Sequence, residues 1–178
     1  MKTKFLFLLC FVAVLFAACN LDSESNYTPA ILIGPFIHNG DTLKFYPYSS
    51  VLKDTISVGD TVFITVYVSG QTSNLINLSI TESQDGFTKI IFPPVDSLII
   101  FPERTPKESI FALDSNHKNG NFKFSGELIY LEFVLKYIAQ KASNEAFLRV
   151  SVTSDAKPDY NLSSFKVITP IKEAATTP

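Results

Sequence analysis

Thr61-Val62-Phe63-Ile64-Thr65-Val66-Tyr67-Val68-Ser69 is the stretch that decides the fold. Val62, Ile64, Val66 and Val68 are all β-branched and apolar, and Thr61, Phe63, Thr65, Tyr67 and Ser69 fall between them. Period-two alternation of this kind is the pattern of a strand with one face in a core, and β-branched side chains suit a pleated backbone better than a helix. Slipping the pairing by one residue exchanges the two faces, so the pattern also constrains register.

Turn signals and further strand patterns extend outward from this stretch. Residues 30–37 are largely apolar and run into His38-Asn39-Gly40-Asp41, where Asn-Gly supplies the positive φ angles of a type I′ hairpin turn. Residues 42–48 return, ending around Pro47, and Asp54-Thr55-Ile56-Ser57-Val58 passes through Gly59-Asp60 into the long strand. After the polar loop Gly70-Gln71-Thr72-Ser73-Asn74, residues 75–81 place Ile76, Leu78 and Ile80 on one face. Asp85-Gly86 marks a turn before residues 87–92. Pro93-Pro94, Pro102 and Pro106 make the middle irregular, because proline donates nothing to a sheet ladder. Residues 109–113 and 121–125 flank a turn over 114–120. Residues 146–154, with Leu148, Val150 and Val152 inward, and residues 164–169 complete the set.

Residues 128–139 admit two readings. As a strand, Leu131, Phe133, Leu135 and Tyr137 alternate with Tyr130, Glu132, Val134 and Lys136; as a helix, Leu128, Leu131, Leu135 and Ile138 form a stripe. Aromatic content and β neighbours favour the strand. The sequence thus predicts an all-β chain, an antiparallel immunoglobulin-like β-sandwich of about 7–9 strands. One domain spans residues 30–172, with a tail over 173–178.

The 178 residues include 15 basic and 17 acidic side chains, 16 Phe, seven Tyr and no Trp. Lys2 and Lys4, the apolar run 5–16 and the small residues Ala17-Ala18 have the layout of an export signal over residues 1–18, too short for a permanent membrane span. Leu15-Phe16-Ala17-Ala18-Cys19 resembles a bacterial lipobox, with Phe16 where Leu is usual; the resemblance implies cleavage before Cys19 and acylation of its thiol. Cys10 leaves with the leader, so an acylated Cys19 leaves no thiol for a disulfide. Residues 19–29 read as a flexible tether, whose ten or so residues span roughly 17 Å as coil. Loss of Lys2 and Lys4 makes the remainder more acidic, and no basic patch favours nucleic acid.

Asp54-Thr55-Ile56-Ser57-Val58-Gly59-Asp60-Thr61-Val62, followed by the alternating strand and Ser69-Gly70, resembles the opening strands of immunoglobulin-like lipoproteins of the Bacteroidota. Ala142-Ser143-Asn144-Glu145-Ala146-Phe147-Leu148-Arg149-Val150-Ser151-Val152, ending in Thr153-Ser154-Asp155, looks like a closing strand of such domains. The resemblance implies a sandwich fold and an outer-membrane lipoprotein, and it carries no functional residues. Asp22 and Glu24 resemble the acidic surface-export signal of that phylum, which implies display at the cell surface; a merely solubilising role is the alternative. The Trp and cysteine pair of antibody domains are missing.

Candidate chemistry is sparse. His38 and His117 fall in turns and read as exposed loop residues, and two histidines without a free thiol make no His/Cys zinc site. Asp114-Ser115-Asn116-His117-Lys118-Asn119-Gly120 departs from a calcium loop at Lys118, at the displaced glycine and at Ser125, so a turn on Asn119-Gly120 accounts for it better. No Gly-x-Ser-x-Gly elbow accompanies the histidines, and Glu127, Glu132 and Glu145 read as solvated strand edges. Asp41-Thr42-Leu43, Asp54-Thr55-Ile56, Asp60-Thr61-Val62 and Asp96-Ser97-Leu98 share an order that resembles the Bacteroidota O-glycosylation acceptor, which makes Thr42, Thr55, Thr61 and Ser97 candidate glycan carriers; strand-opening turns capped by Asp explain the same order.

The expectation is a non-enzymatic binding or structural module, attached to the membrane through a lipid, without metal or cofactor. A glycan or protein is the expected ligand, with Tyr27, Tyr46, Tyr48, Tyr130 and Tyr160 as candidate aromatic platforms. A pilus-like assembly subunit that shares strands is the alternative, and a carbohydrate-active enzyme a weaker one. Cys19→Ser is expected to abolish acyl labelling and release the protein from the membrane fraction; unchanged labelling and fractionation would remove the anchor.

Overall fold

The computed structural model describes residues 26–83 and 86–174. The leader 1–18, Cys19, Asp22, Glu24, Asp85 and residues 175–178 of the tail lie outside the described residues. Among the described residues twelve strands form: β1 Ala30–His38, β2 Asp41–Leu43, β3 Ile56–Ser57, β4 Thr61–Ser69, β5 Leu75–Glu82, β6 Thr88–Ile91, β7 Ile99–Phe101, β8 Asn121–Lys123, β9 Tyr130–Ala139, β10 Phe147–Ser154, β11 Leu162–Ile168 and β12 Ile171–Lys172. The larger sheet has the order β2-β1-β4-β9-β6, with β7 also on β9; the smaller is β11-β10-β5-β8, and β12 pairs in parallel with β3. Strands β1, β4, β9 and β6 occupy the A, B, E and D places of an immunoglobulin sandwich, and β5, β10 and β11 those of C, F and G. The five extra strands, β2, β3, β7, β8 and β12, are two or three residues long, which is why the sequence pattern predicts about 7–9 strands and twelve form among the described residues.

The alternation of β4 is realised as read. Val62, Ile64, Val66 and Val68 are buried against Leu148, Val150 and Val152 of β10 and their neighbours in one core. Residues 130–139 are a strand, with Leu131, Phe133, Leu135 and Tyr137 buried. The Asn39-Gly40 turn has φ of 52° and 89°, as a type I′ hairpin requires. The returning strand is shorter than 42–48: β2 ends at Leu43, and beyond it only a bridge between Phe45 and Leu52 continues the pairing.

Ile76 is a correction, since 42% of it is exposed while Leu75 is buried. Asn77 pairs with Thr153 but Leu75 pairs with Ser154, so one extra residue bulges from β5 and reverses the parity of its first residues. A second bulge in β1 sets Gly34 and Pro35 against Thr65 alone, which lets Ile31, Ile33 and Phe36 all face the core. Proline is tolerated there because a bulge leaves a residue out of the ladder.

The proline-rich middle forms one strand broken in two. Strand β6 runs antiparallel along β9 from Ala139 to Lys136, and β7 resumes on the same edge at Glu132. Seven residues, 92–98, thereby span only three of β9. Beyond this excursion the chain packs Phe111, Phe122 and Phe124 into an aromatic group, with Phe122 also 5.7 Å from Phe133 between ring centroids. Gly120 closes the 117–119 turn with φ of 76°, and a side chain there would meet the Ile80 carbonyl oxygen at 2.5 Å. Glycine is therefore required twice over at that position.

Polar groups tie the two sheets together at one end. Glu82, the last residue of β5, accepts a 2.7 Å hydrogen bond from the Thr88 hydroxyl at the start of β6. Tyr137 is fully buried, its hydroxyl 2.5 Å from that of Thr169. Burial pushes the Tyr137 phenol up to about 12 against an ordinary 10.0, because the phenolate has lost its water.

Substituting Val66 or Val150 by Ala is expected to cost about 1–3 kcal/mol in denaturant unfolding, and Ile76→Ala about 0.5 kcal/mol or less; equal costs would overturn the bulge. The raised Tyr137 pKa means that the folded protein keeps the phenolic proton longer than the unfolded chain. That stabilisation, roughly 2–3 kcal/mol, is complete below pH 10.0 and is lost as pH rises through about 12. Tyr137→Phe should flatten the alkaline fall in stability, and an unaltered slope would assign the fall to other groups.

Candidate functional site

The register that buries one side of the larger sheet lines up the residues of the other. Across β1, β4, β9 and the broken strand, one row is Leu32, Tyr67, Glu132 and Ile99. Another is Ile37, Phe63, Lys136 and Ile91. Between them lie Thr65 and Val134, paired with each other. Tyr130 and Phe101 continue the surface at one end, and Ile138 and Lys89 at the other. The outward face of an antiparallel sheet is ordinarily polar. Here Leu32, Phe63, Ile91, Ile99, Phe101 and Val134 are 41% to 63% exposed. Contiguous apolar surface of this kind marks interaction sites on soluble domains.

Two charges stand at the centre of this face, Glu132 and Lys136, and a third, Lys89, lies at one end of it. Glu132 accepts a 2.6 Å hydrogen bond from the Tyr130 hydroxyl, and Lys136 extends over the Phe63 ring, 5.8 Å from its centroid. Among the described residues neither forms an ion pair. Loss of water around the half-buried Tyr130 pushes its phenol up to about 12, and the Glu132 carboxylate adds to the shift by accepting the proton's hydrogen bond and by its charge. The excursion 92–98 raises a rim beside the face. Phe63, Val134, Lys136, Ile91, Phe92 and Pro93-Pro94 enclose a hollow of about 330 Å³ there.

A groove of mixed polarity follows the flank between the broken strand and the 117–119 turn. Two adjoining hollows of about 490 Å³ and 690 Å³ share Ile90, Phe92 and Lys118. Glu82 and Thr88 line the first, and Asp96, Glu108 and His117 the second. Burial raises the Glu82 carboxyl above its ordinary value, and hydrogen bonds from Thr88 and the Ile90 backbone oppose the rise. Glu82 is thus engaged in joining the sheets, and His117 stacks on Phe111 at 4.9 Å rather than projecting into solvent. The Lys107 ammonium bonds the Asp96 and Leu98 carbonyls and so braces the excursion.

The remaining candidates scatter. His38 is half-buried, 3.4 Å from Asp60, whose other oxygen accepts the Ser57 amide at 2.7 Å, so both residues clamp the approach to β4. The expectation that both histidines are exposed loop residues is therefore corrected by the packing of each. Asp114 pairs with Lys123, which holds its carboxyl below the ordinary value. Glu127 precedes β9 and Glu145 follows it, so the roughly 30 Å length of that strand separates them. Among the described residues no three His, Cys, Asp or Glu side chains group to hold a metal. Also among them, no helix is long and apolar enough to cross a membrane.

Thr42 and Thr55 are exposed, and Thr61 is half-buried in the β4 ladder. Ser97 is exposed, but its hydroxyl donates to the Pro94 carbonyl at 2.7 Å. Asp54 accepts the Lys44 amide at 2.7 Å, so Asp54 and Asp60 both cap turns. Tyr27, Tyr46, Tyr48 and Tyr160 are exposed outside the strands, Tyr46 and Tyr48 on one loop between β2 and β3, and of these candidates Tyr130 alone belongs to the sheet face. The apolar face itself escaped the sequence reading. Its signal was present in Phe63, Tyr67 and Val134, apolar residues at outward positions of two predicted strands.

No protein-family model matches the chain, and no curated protein matches its sequence.

Proposed function

We propose that the chain is a lipid-anchored, non-catalytic binding module of the cell envelope, held at the outer membrane through Cys19, whose larger sheet docks a protein on its outer face. The observation that carries the reading is the row-by-row apolar character of that face, from Leu32 to Phe101. Its chemistry favours protein over glycan. Sugar hydroxyls require a dense set of hydrogen-bonding groups, whereas the central face offers mainly Tyr67, Glu132, Lys136 and Thr65 among aliphatic and aromatic side chains. Thr55, exposed and outside the rows of the face, is the better-placed candidate for carrying a glycan, whereas Thr42 pairs with Ile37 and extends the row of Phe63 and Lys136.

A second reading, assembly by strand sharing, has one observation in its favour. Among the described residues no strand pairs with the outer edge of β11, where backbone bonds reach only Ile168, from Ser50 and Leu52. Such an edge can accept a strand from another chain.

A photoreactive benzoylphenylalanine at Val134, introduced in the native host, is expected to give protein adducts that Phe63→Glu or Ile99→Glu removes. The same probe at Arg149, outward on the smaller sheet, should give none. Equal yields at the two positions overturn the reading, adducts confined to a third probe at Phe165 on β11 transfer it to strand sharing there, and a bound glycan without protein adduct replaces protein by carbohydrate.

A further inference from the structure

The geometry points to a second copy of this chain as the occupant of the apolar face, in a face-to-face dimer with two-fold symmetry. The inference rests on the docking role proposed for that face and names its partner.

The face repeats itself about its own centre. From the paired Thr65 and Val134, two residues along each strand in one direction lead to Tyr67 and Glu132; two in the other lead to Phe63 and Lys136. The first row is completed by Leu32 and Ile99, and the second by Ile37 and Ile91. Each row therefore reads aliphatic, aromatic, charged, isoleucine, and the two charges have opposite signs. The bulge at Gly34 and Pro35 and the excursion 92–98 are what bring Ile37 and Ile91 into these places.

A two-fold axis lying in the interface and crossing the strands over Thr65 and Val134 keeps each strand opposite itself and inverts its direction. Under that operation Glu132 meets Lys136 of the second copy, and Lys136 meets its Glu132. Tyr67 meets Phe63, Ile99 meets Ile91 and Leu32 meets Ile37. Val134 and Thr65, on the axis, meet their own counterparts. Turning the axis to lie along the strands would instead keep the charge rows in register and lose this match. An isologous interface has to be self-complementary in this sense. Two sheets packed face to face lie about 10 Å apart, which accommodates one layer of side chains from each. Four strands and five rows cover on the order of 20 Å by 30 Å, close to one partner's share of a standard interface. The ion pairs absent within one copy are thus formed twice between copies, beside apolar surface that shields them from water.

The test is single-cysteine crosslinking of the full chain in its membrane, with the unmodified chain controlling for Cys19. Val134→Cys and Thr65→Cys, each alone, are expected to give disulfide-linked dimers under mild oxidation, because only positions on a two-fold axis meet themselves. Arg149→Cys should not. In the Val134→Cys background, Glu132→Lys alone and Lys136→Glu alone should each weaken dimer formation about tenfold, and the double exchange should restore it. Restoration is the decisive result, since a folding defect would not be cured by a second charge reversal. Crosslinking at Val134 no greater than at Arg149, or a double exchange no better than the single ones, overturns the dimer. Photo-adducts to a different protein at Val134 without these dimers would overturn self-pairing and leave the docking role standing; absence of both would remove the two together.

Discussion

The nine-pair ladder between β4 and β9, from Thr61 against Ile138 to Ser69 against Tyr130, is the constraint on which the other features depend. Because side chains alternate at every residue, this one register assigns both faces of the sheet at once. It sends Val62, Ile64, Val66, Val68, Leu131, Phe133, Leu135 and Tyr137 inward. Hydrophobicity alone would not have chosen this face, since Phe63, Tyr67, Val134 and Ile138 on the other are apolar as well. Glu132 and Lys136 decide it. Turning the strands over would bury two unpaired charges, each costing several kcal/mol, while exposing eight apolar side chains. The same two residues that fix which side is inside are the only charges at the centre of the side left outside.

Two tyrosines on β9 show the consequence. Tyr137 and Tyr130 stand on opposite faces, and both phenols are pushed up to about 12. Burial leads in each case, but the neighbours differ. Tyr137 is in the core with the hydroxyls of Thr169 and Thr88 nearby, where it joins the end of the larger sheet to the segment leading into β12. Tyr130 leans on the Glu132 carboxylate at the surface and holds it in one orientation. One tyrosine serves cohesion, and the other orders a charge on the exposed face.

The fold was legible wherever a strand was long and kept its parity. Residues 61–69 and 147–154 alternate without interruption, and their buried residues follow the sequence pattern one for one. Legibility failed at bulges. Nothing local distinguishes Ile76 from Leu78; the extra residue is visible only against Thr153 and Ser154, which lie far along the chain. The return of β7 to the edge that β6 had left is likewise a fact about β9, so the proline-rich middle reads as irregular from within. The candidate face was hidden for the same reason. Its residues come from five strands, and the order that places Leu32 beside Tyr67, Glu132 and Ile99 exists only once the ladders are formed.

An exposed apolar face costs little on a domain that meets few copies of itself, and more on one that diffuses freely at high concentration. A lipid on Cys19 would change both sides of that balance. It would remove the domain from bulk solution, which would limit indiscriminate aggregation, and it would confine copies to a layer at the membrane. Such confinement would raise effective concentration without adding any contact, so a face of modest footprint with two charges at its centre would suffice for association there. In the proposed dimer the match between Glu132 and Lys136 would then act chiefly on selectivity. Faces that meet out of register oppose like charges or leave both unpaired, and the paired arrangement is favoured by that difference.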